Sequence, residues 1–111
     1  MRASANTRPC PGEVWHADLG MVEKTRPVLV LYYPEQDDAR ALAIVAPLTS
    51  QIRDMRGEVG LGHPKWLPKP SAVNVQGLAS FDRHKLTKKY GALTGSQMAS
   101  VKDAIRELLD L

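Results

Sequence analysis

Two short segments carry residue types able to do chemistry on an anion: Lys24-Thr25-Arg26-Pro27 and Pro47-Leu48-Thr49-Ser50. A residue before proline is pushed toward extended geometry. Arg26 therefore enters the apolar run that follows it with a stiff backbone, which would hold its guanidinium at a sheet end. Such a fork suits bidentate binding of a phosphate. A charged gatekeeper at a strand end is the plainer account of the same arginine. Thr49 and Ser50 are adjacent hydroxyls that can donate to phosphate oxygens without a charge or a metal, although an ordinary turn uses the same residues. The three histidines, His16, His63 and His84, have no second ligand at a helical or CxxC-like spacing. The single cysteine, Cys10, excludes an internal disulfide framework and a cysteine-rich zinc site. With no Walker-type, calcium or GxSxG motif either, no metal or other cofactor is expected.

The charge distribution sharpens this. Fifteen Lys and Arg against twelve Asp and Glu give +3 over 111 residues. Residues 53–94 hold eight basic and three acidic side chains, net +5, between two stretches of net −1. Within that block Arg83-His84-Lys85 and Lys88-Lys89 form a dense basic stretch, suited to nucleic-acid phosphates or simply to a solvated face.

The elements that must position these residues follow from pattern. Residues 1–12 read as a flexible arm, with Pro9 and Pro11 blocking regular hydrogen bonding, and 13–111 as one domain. Glu13 to Leu19 alternates like a strand containing a core Trp15, with His16 on its surface. Gly20 to Thr25 is a polar connection. Pro27 to Tyr33 and Leu42 to Pro47 read as strands buried on both faces. Pairing should fade at Pro47, which has no N–H, releasing Leu48-Thr49-Ser50 as a loop. Gly62 to Pro70 is an irregular excursion in which Trp66 stacks a base, packs locally or packs at a dimer seam. Ser71 to Gln76 is a further strand, and Ser80 to Leu86 holds a helical turn. Thr94 and Gln97 have capping-box spacing. Behind them Met98, Val101, Ile105, Leu108 and Leu109 share one face of a terminal helix. Strands followed by a single helix predict a small β-barrel closed by that helix.

In order, PGEVWHADL, KTRPVLVL, VAPLTS, SAVNVQGLASFDRHKL and the helix ending AIRELLDL resemble the MazF/PemK (Kid-like) family of toxin endoribonucleases over most of residues 11–111. The resemblance implies a mainly β fold: a small, strongly bent antiparallel SH3-like barrel with a C-terminal helix, assembled as a homodimer. It implies metal-independent cleavage of single-stranded RNA, with attack by the 2′-OH leaving a 2′,3′-cyclic phosphate and a 5′-OH. The family's essential arginine falls on Arg26 and its phosphate-contacting threonine on Thr49, with Ser50 beside it. Its acidic residue in the preceding loop falls on Glu23, the candidate base. RNA-binding roles fall on Ser50, Gln76, Arg83, His84, Lys85 and Lys88. Many relatives carry a D-Q-x-R-like pattern where this chain has Val75-Gln76-Gly77-Leu78-Ala79. Gln76 thus occupies the acidic slot and Ala79 the arginine slot. Gln76 can bond a base edge but is no general base, so either the base is Glu23, or His84 if it folds near, or activity is reduced, or RNA selectivity differs.

The implied partner is an antitoxin whose acidic C-terminal segment covers the RNA groove. A gyrase-inhibiting toxin of the related fold and a weakened RNA-binding module are the alternatives, the second kept open by Gln76. No apolar run approaches the roughly 20 residues of a spanning helix, and the N-terminus has no apolar signal region. No membrane partner is expected, and the default location is the cytoplasm.

Overall fold

The computed structural model describes residues 8–18 and 25–111. Seven strands and one helix occur there: β1 (Glu13–Asp18), β2 (Thr25–Tyr32), β3 (Leu42–Thr49), β4 (Glu58–Gly62), β5 (Ser71–Asn74), β6 (Ala79–Asp82), β7 (Leu86–Ala92) and α1 (Gly95–Leu109). Single 3-10 turns at Val75–Gly77 and Arg83–Lys85 separate β5 from β6 and β6 from β7. The sheet is antiparallel and runs β4-β5-β3-β2-β1-β7, with β6 also paired to β3. The described ladders form a path with β4 and β7 at its ends.

Period-2 alternation divides the central strands between two cores. Val14, Leu29, Ala46 and Leu48 face one side, where Val73, Leu61, Leu67 and Val101 of α1 complete a cluster. Trp15, Ala17, Val28, Val30, Ala43 and Val45 face the other side, joined by Leu86 and flanked by Phe81 and Tyr33. Both faces are covered over Val28–Val30 of β2 and at Val45 and Ala46 of β3, but Tyr32, Leu42 and Ile44 are exposed, so the expected burial on both faces does not extend to that end of the two strands. The expected capping box is present, with Gln97 N–H donating to Thr94 Oγ1 at 3.1 Å and Thr94 N–H to Gln97 Oε1 at 2.9 Å. Met98, Val101 and Ile105 bury the helix face, but Leu109 lies outside it at 51% exposure, because the helix ends there on Asp110 in the left-handed region.

Pairing does not fade at Pro47. The strand runs on to Thr49, and Pro47 stays in register with Val28 on β2. On its other edge β3 pairs with β6 over 42–45 and with β5 at Leu48 and Thr49. The missing N–H thus falls in the gap between those two ladders, where it breaks nothing. β5 stops earlier than expected, at Asn74, because the Asn74 side chain accepts the Gln76 N–H at 3.1 Å and starts the 3-10 turn. β7 was not anticipated, since LTKKYGA is polar with no apolar alternation; its pairing with β1 makes it a strand.

The described end of the N-terminal arm is fastened to this frame. Arg8 donates to the Pro34 carbonyl at 3.0 Å and pairs with Glu35, while Gly12 bonds Val30 and Leu93 through its backbone. Glu13 accepts from Cys10 N–H and Trp15 Nε1 at 3.0 and 2.9 Å and pairs with Lys89 at 3.0 Å. Burial pushes its carboxyl up, but the indole, the Lys89 ammonium and the Cys10 N–H together outweigh burial and hold it below the ordinary value. The excursion returns Trp66 onto Gly91 so closely that a Cβ there would lie 2.3 Å from the indole.

Two outcomes follow in urea or thermal unfolding. Gly91→Ala drives a methyl into the indole and lowers stability by about 1–3 kcal/mol. Gly60→Ala, whose Cβ would meet nothing within 4 Å, leaves stability at or slightly above wild type. The lowered Glu13 value stabilises the fold fully above the ordinary carboxyl value of 4.5 and loses that contribution as pH falls through the folded value. The stability gap between wild type and Glu13→Gln is therefore widest at pH 7 and closes under acid.

Candidate active site

Arg26 is the second residue of β2 and Thr49 the last of β3. The β2–β3 ladder pairs Leu29 with Ala46 and Val28 with Pro47. Carried two residues further, that register sets Arg26 opposite Thr49 at one end of the sheet. Both line a cleft of about 490 Å³, together with Ser50, Gln51, Lys69 and Tyr90. The Thr49 Oγ1 accepts the Gln51 N–H at 3.0 Å, which closes the turn. That bond uses a lone pair and leaves the hydroxyl proton for an outside acceptor.

A second cleft of about 290 Å³ shares Thr49 and Gln51 with the first and continues along Arg53, Arg56, Asn74 and Gln76. Gln76 is exposed on its 3-10 turn, with its Nε2 donating to the Arg56 carbonyl at 3.2 Å. Gly57, at φ +89°, makes this approach possible: a Cβ there would sit 3.1 Å from the Gln76 Cγ. Ala79 borders Arg26 from the other side, in a small apolar dent of about 50 Å³ with Val28, Val45, Pro47 and Phe81.

The structure thus brings Arg26, Thr49, Ser50 and Gln76 onto one connected groove. Glu23 lies outside the described residues. Arg83, His84, Lys85 and Lys88 line none of these three clefts. They sit on the β6–β7 side, where the Asp82 carboxylate accepts from His84 N–H at 2.8 Å and from its Nδ1 at 3.0 Å. The His84 backbone N–H is the chief cause that holds the Asp82 carboxyl below its ordinary value. Trp66 packs against the core beside Gly91. Among the described residues, no three His, Cys, Asp or Glu side chains gather into a metal-binding group.

Sequence reasoning missed Lys69, Arg53, Arg56 and Tyr90 as groove residues. The first three were counted only in the basic block, since nothing local marks which cations face a cleft. Tyr90 gave no signal at all. Its hydroxyl is hydrogen-bonded to His16 Nε2, and the two rings meet edge to face, centroids 4.5 Å apart at 85°. Burial raises the Tyr90 phenol above its ordinary value. The assembled groove offers fixed positive charge, hydroxyl donors and an amide, which suits a phosphodiester strand with readable bases.

Residues 11–109 match the family described as PemK-like, MazF-like toxin of type II toxin–antitoxin system. The endoribonuclease MazF6 of Mycobacterium tuberculosis is 34% identical over 108 residues, covering 89% of this chain and 95% of the relative. The solved structure of the Mycobacterium tuberculosis toxin MazF-mt6 is 28% identical, with a TM-score of 0.76 over 89% of this chain and 97% of that one. A mycobacterial endoribonuclease solved in complex with its cognate antitoxin shares the fold, at 23% identity and a TM-score of 0.78 over 93% of this chain and 96% of that one.

Proposed function

The chain belongs to the PemK-like, MazF-like toxins of type II toxin–antitoxin systems, and from that premise we propose that its Arg26–Thr49 cleft cuts single-stranded RNA without a metal. The observation that carries the reading is that Arg26 and Thr49 line one cleft at the end of the β2–β3 ladder. The RNA 2′-oxygen attacks the adjacent phosphorus in line, the P–O5′ bond breaks, and the products are a 2′,3′-cyclic phosphate and a 5′-OH. Charge builds on the non-bridging oxygens in that transition state. The Arg26 guanidinium meets it with positive charge and N–H donors. Thr49 and Ser50 hold the phosphate so that the 2′-oxygen stands opposite the leaving group. Gln76, along the same groove, bonds a base edge with its free amide oxygen, and Arg53, Arg56 and Lys69 take flanking phosphates. Glu23 is carried as a candidate base from the family resemblance alone.

The toxin works in the cytoplasm, where RNA is its substrate, and it acts as a homodimer. Among the described residues no helix is long and apolar enough to cross a membrane. Its partner is a cognate antitoxin whose acidic segment lies in the basic groove and excludes RNA by charge and by occupancy. Arg83, His84, Lys85 and Lys88 reach only RNA long enough to run past the groove to the β6–β7 side.

Purified wild type and Arg26→Ala, incubated with mixed-sequence RNA in excess EDTA, test the reading by mapping of fragment ends. Wild type leaves cyclic-phosphate ends, and Arg26→Ala is slower by about 100- to 1000-fold. Cleavage that requires Mg²⁺, or is unchanged in the variant, overturns it. Binding without cleavage identifies an RNA-binding module, and gyrase inhibition without cleavage identifies a topoisomerase poison.

A salt titration tests the groove. With a short 2′-O-methyl oligonucleotide, Lys69→Ala reduces the slope of log K against log salt by about 0.7, one single-strand phosphate contact. Lys88→Ala leaves that slope unchanged and lowers it only with longer RNA.

A further inference from the structure

We propose that the Tyr90 hydroxyl, backed by the His16 imidazole, is the proton acceptor for the attacking 2′-OH in the Arg26–Thr49 cleft. This rests on the proposed function and names a proton acceptor among the described residues, to which Glu23 does not belong. Among the described residues the ionisable side chains lining that cleft are Arg26, Lys69 and Tyr90. A guanidinium and an ammonium are donors with no lone pair to offer. Thr49, Ser50 and Gln51 are too weakly basic. Glu58 lies in the second cleft, where its Oε1 accepts the Arg53 N–H at 2.9 Å. Tyr90 alone has a route for a proton to leave, through its hydrogen bond to His16 Nε2.

The backbone is built to aim this side chain. Along the β1–β7 ladder Val14 pairs with Gly91 and Trp15 with Lys89, so Tyr90 is the extra residue of a bulge with no partner opposite it. A bulge re-aims the side chain it carries, and here it turns Tyr90 into the cleft. Trp66 seated on Gly91 holds the neighbouring residue in place. His16 is only partly buried, on β1, the strand adjoining the strand that carries Arg26.

The proton balance is direct. The 2′-OH gives its proton to Tyr90 Oη while the Tyr90 hydroxyl proton passes to His16 Nε2. The imidazole becomes imidazolium and the 2′-oxygen bonds to phosphorus. The 5′-oxygen leaves on the opposite side with its electron pair and takes a proton from water. His16 returns its proton to solvent after product release. Burial keeps the phenol neutral, so Tyr90 passes a proton along without standing as a phenolate. Imidazole is the side chain whose ordinary range suits the accepting role. Tyr90 is then the catalytic residue, and His16 positions it and stores the proton.

Single-turnover cleavage by wild type, Arg26→Ala, Tyr90→Phe, His16→Gln and Glu23→Gln tests this, alongside affinity for a 2′-O-methyl oligonucleotide. Tyr90→Phe keeps the ring and loses about 100-fold or more in rate, with affinity within twofold of wild type. His16→Gln, which still accepts a hydrogen bond but cannot store a proton, loses as much; His16→Asn replaces it if that variant does not fold. The Tyr90→Phe defect persists on RNA with a 5′-bridging sulfur, a leaving group that needs no proton. Near-wild-type rates in Tyr90→Phe or His16→Gln overturn the inference, as does rescue by the sulfur substrate or a parallel loss of affinity. A comparable loss in Glu23→Gln with Tyr90→Phe unaffected assigns the base to Glu23. If Arg26→Ala is inactive and Tyr90→Phe fully active, the inference falls and the proposed function stands. If wild type itself does not cut, both fall.

Discussion

The change of neighbours along β3 is the constraint on which the rest depends. One edge of the strand stays with β2 throughout, while the other passes from β6 to β5 across Pro47. A residue with no N–H is tolerated in a central strand only where no ladder asks for one, and this junction is such a place. The handover lets one edge of the strand serve two ladders in succession. It also carries the strand past the proline to Thr49, level with Arg26. Gly77 packs on the same proline, since a Cβ there would lie 2.6 Å from its ring. The turn that presents Gln76 is thereby docked on the residue that redirects β3.

Around this junction the sheet is covered on both faces, so its central strands cannot slip register without moving every side chain into the wrong core. The groove is consequently formed at strand ends, where backbone regularity stops and polar side chains reach solvent. Arg26 lies one residue into a strand, Thr49 ends one, Gln76 rides the turn after β5, and Tyr90 occupies a bulge. None requires a mobile segment to bring it into place. A preorganised set of donors of this kind acts on developing charge without reorganising during the reaction.

Charge is sorted by the same topology. The net +5 of residues 53–94 is one block in the chain but two surfaces in space. Arg53, Arg56 and Lys69 come from the loops flanking β4 and line the groove, while Arg83, His84, Lys85 and Lys88 emerge beyond β6, elsewhere. Proximity in sequence between Lys69 and Lys88 therefore says nothing about a shared ligand. A polyanion lying in the groove meets cations drawn from the strand ends and loops together.

The sequence by itself determined the strands with strong apolar runs, the capped terminal helix and the chemical character of Arg26, Thr49 and Ser50, because these rest on local propensity and on contacts between near neighbours. It also carried the family's motifs in order. Only the tertiary structure decided that β3 continues through Pro47, that LTKKYGA is a strand, and which basic residues line the groove. Each of these is settled by a partner far away in the chain. Tyr90 is the extreme case, since its place in the cleft comes from a bulge against β1 and its hydrogen-bond partner is 74 residues distant. No window of sequence contains both members of such a pair, and packing alone brings them together.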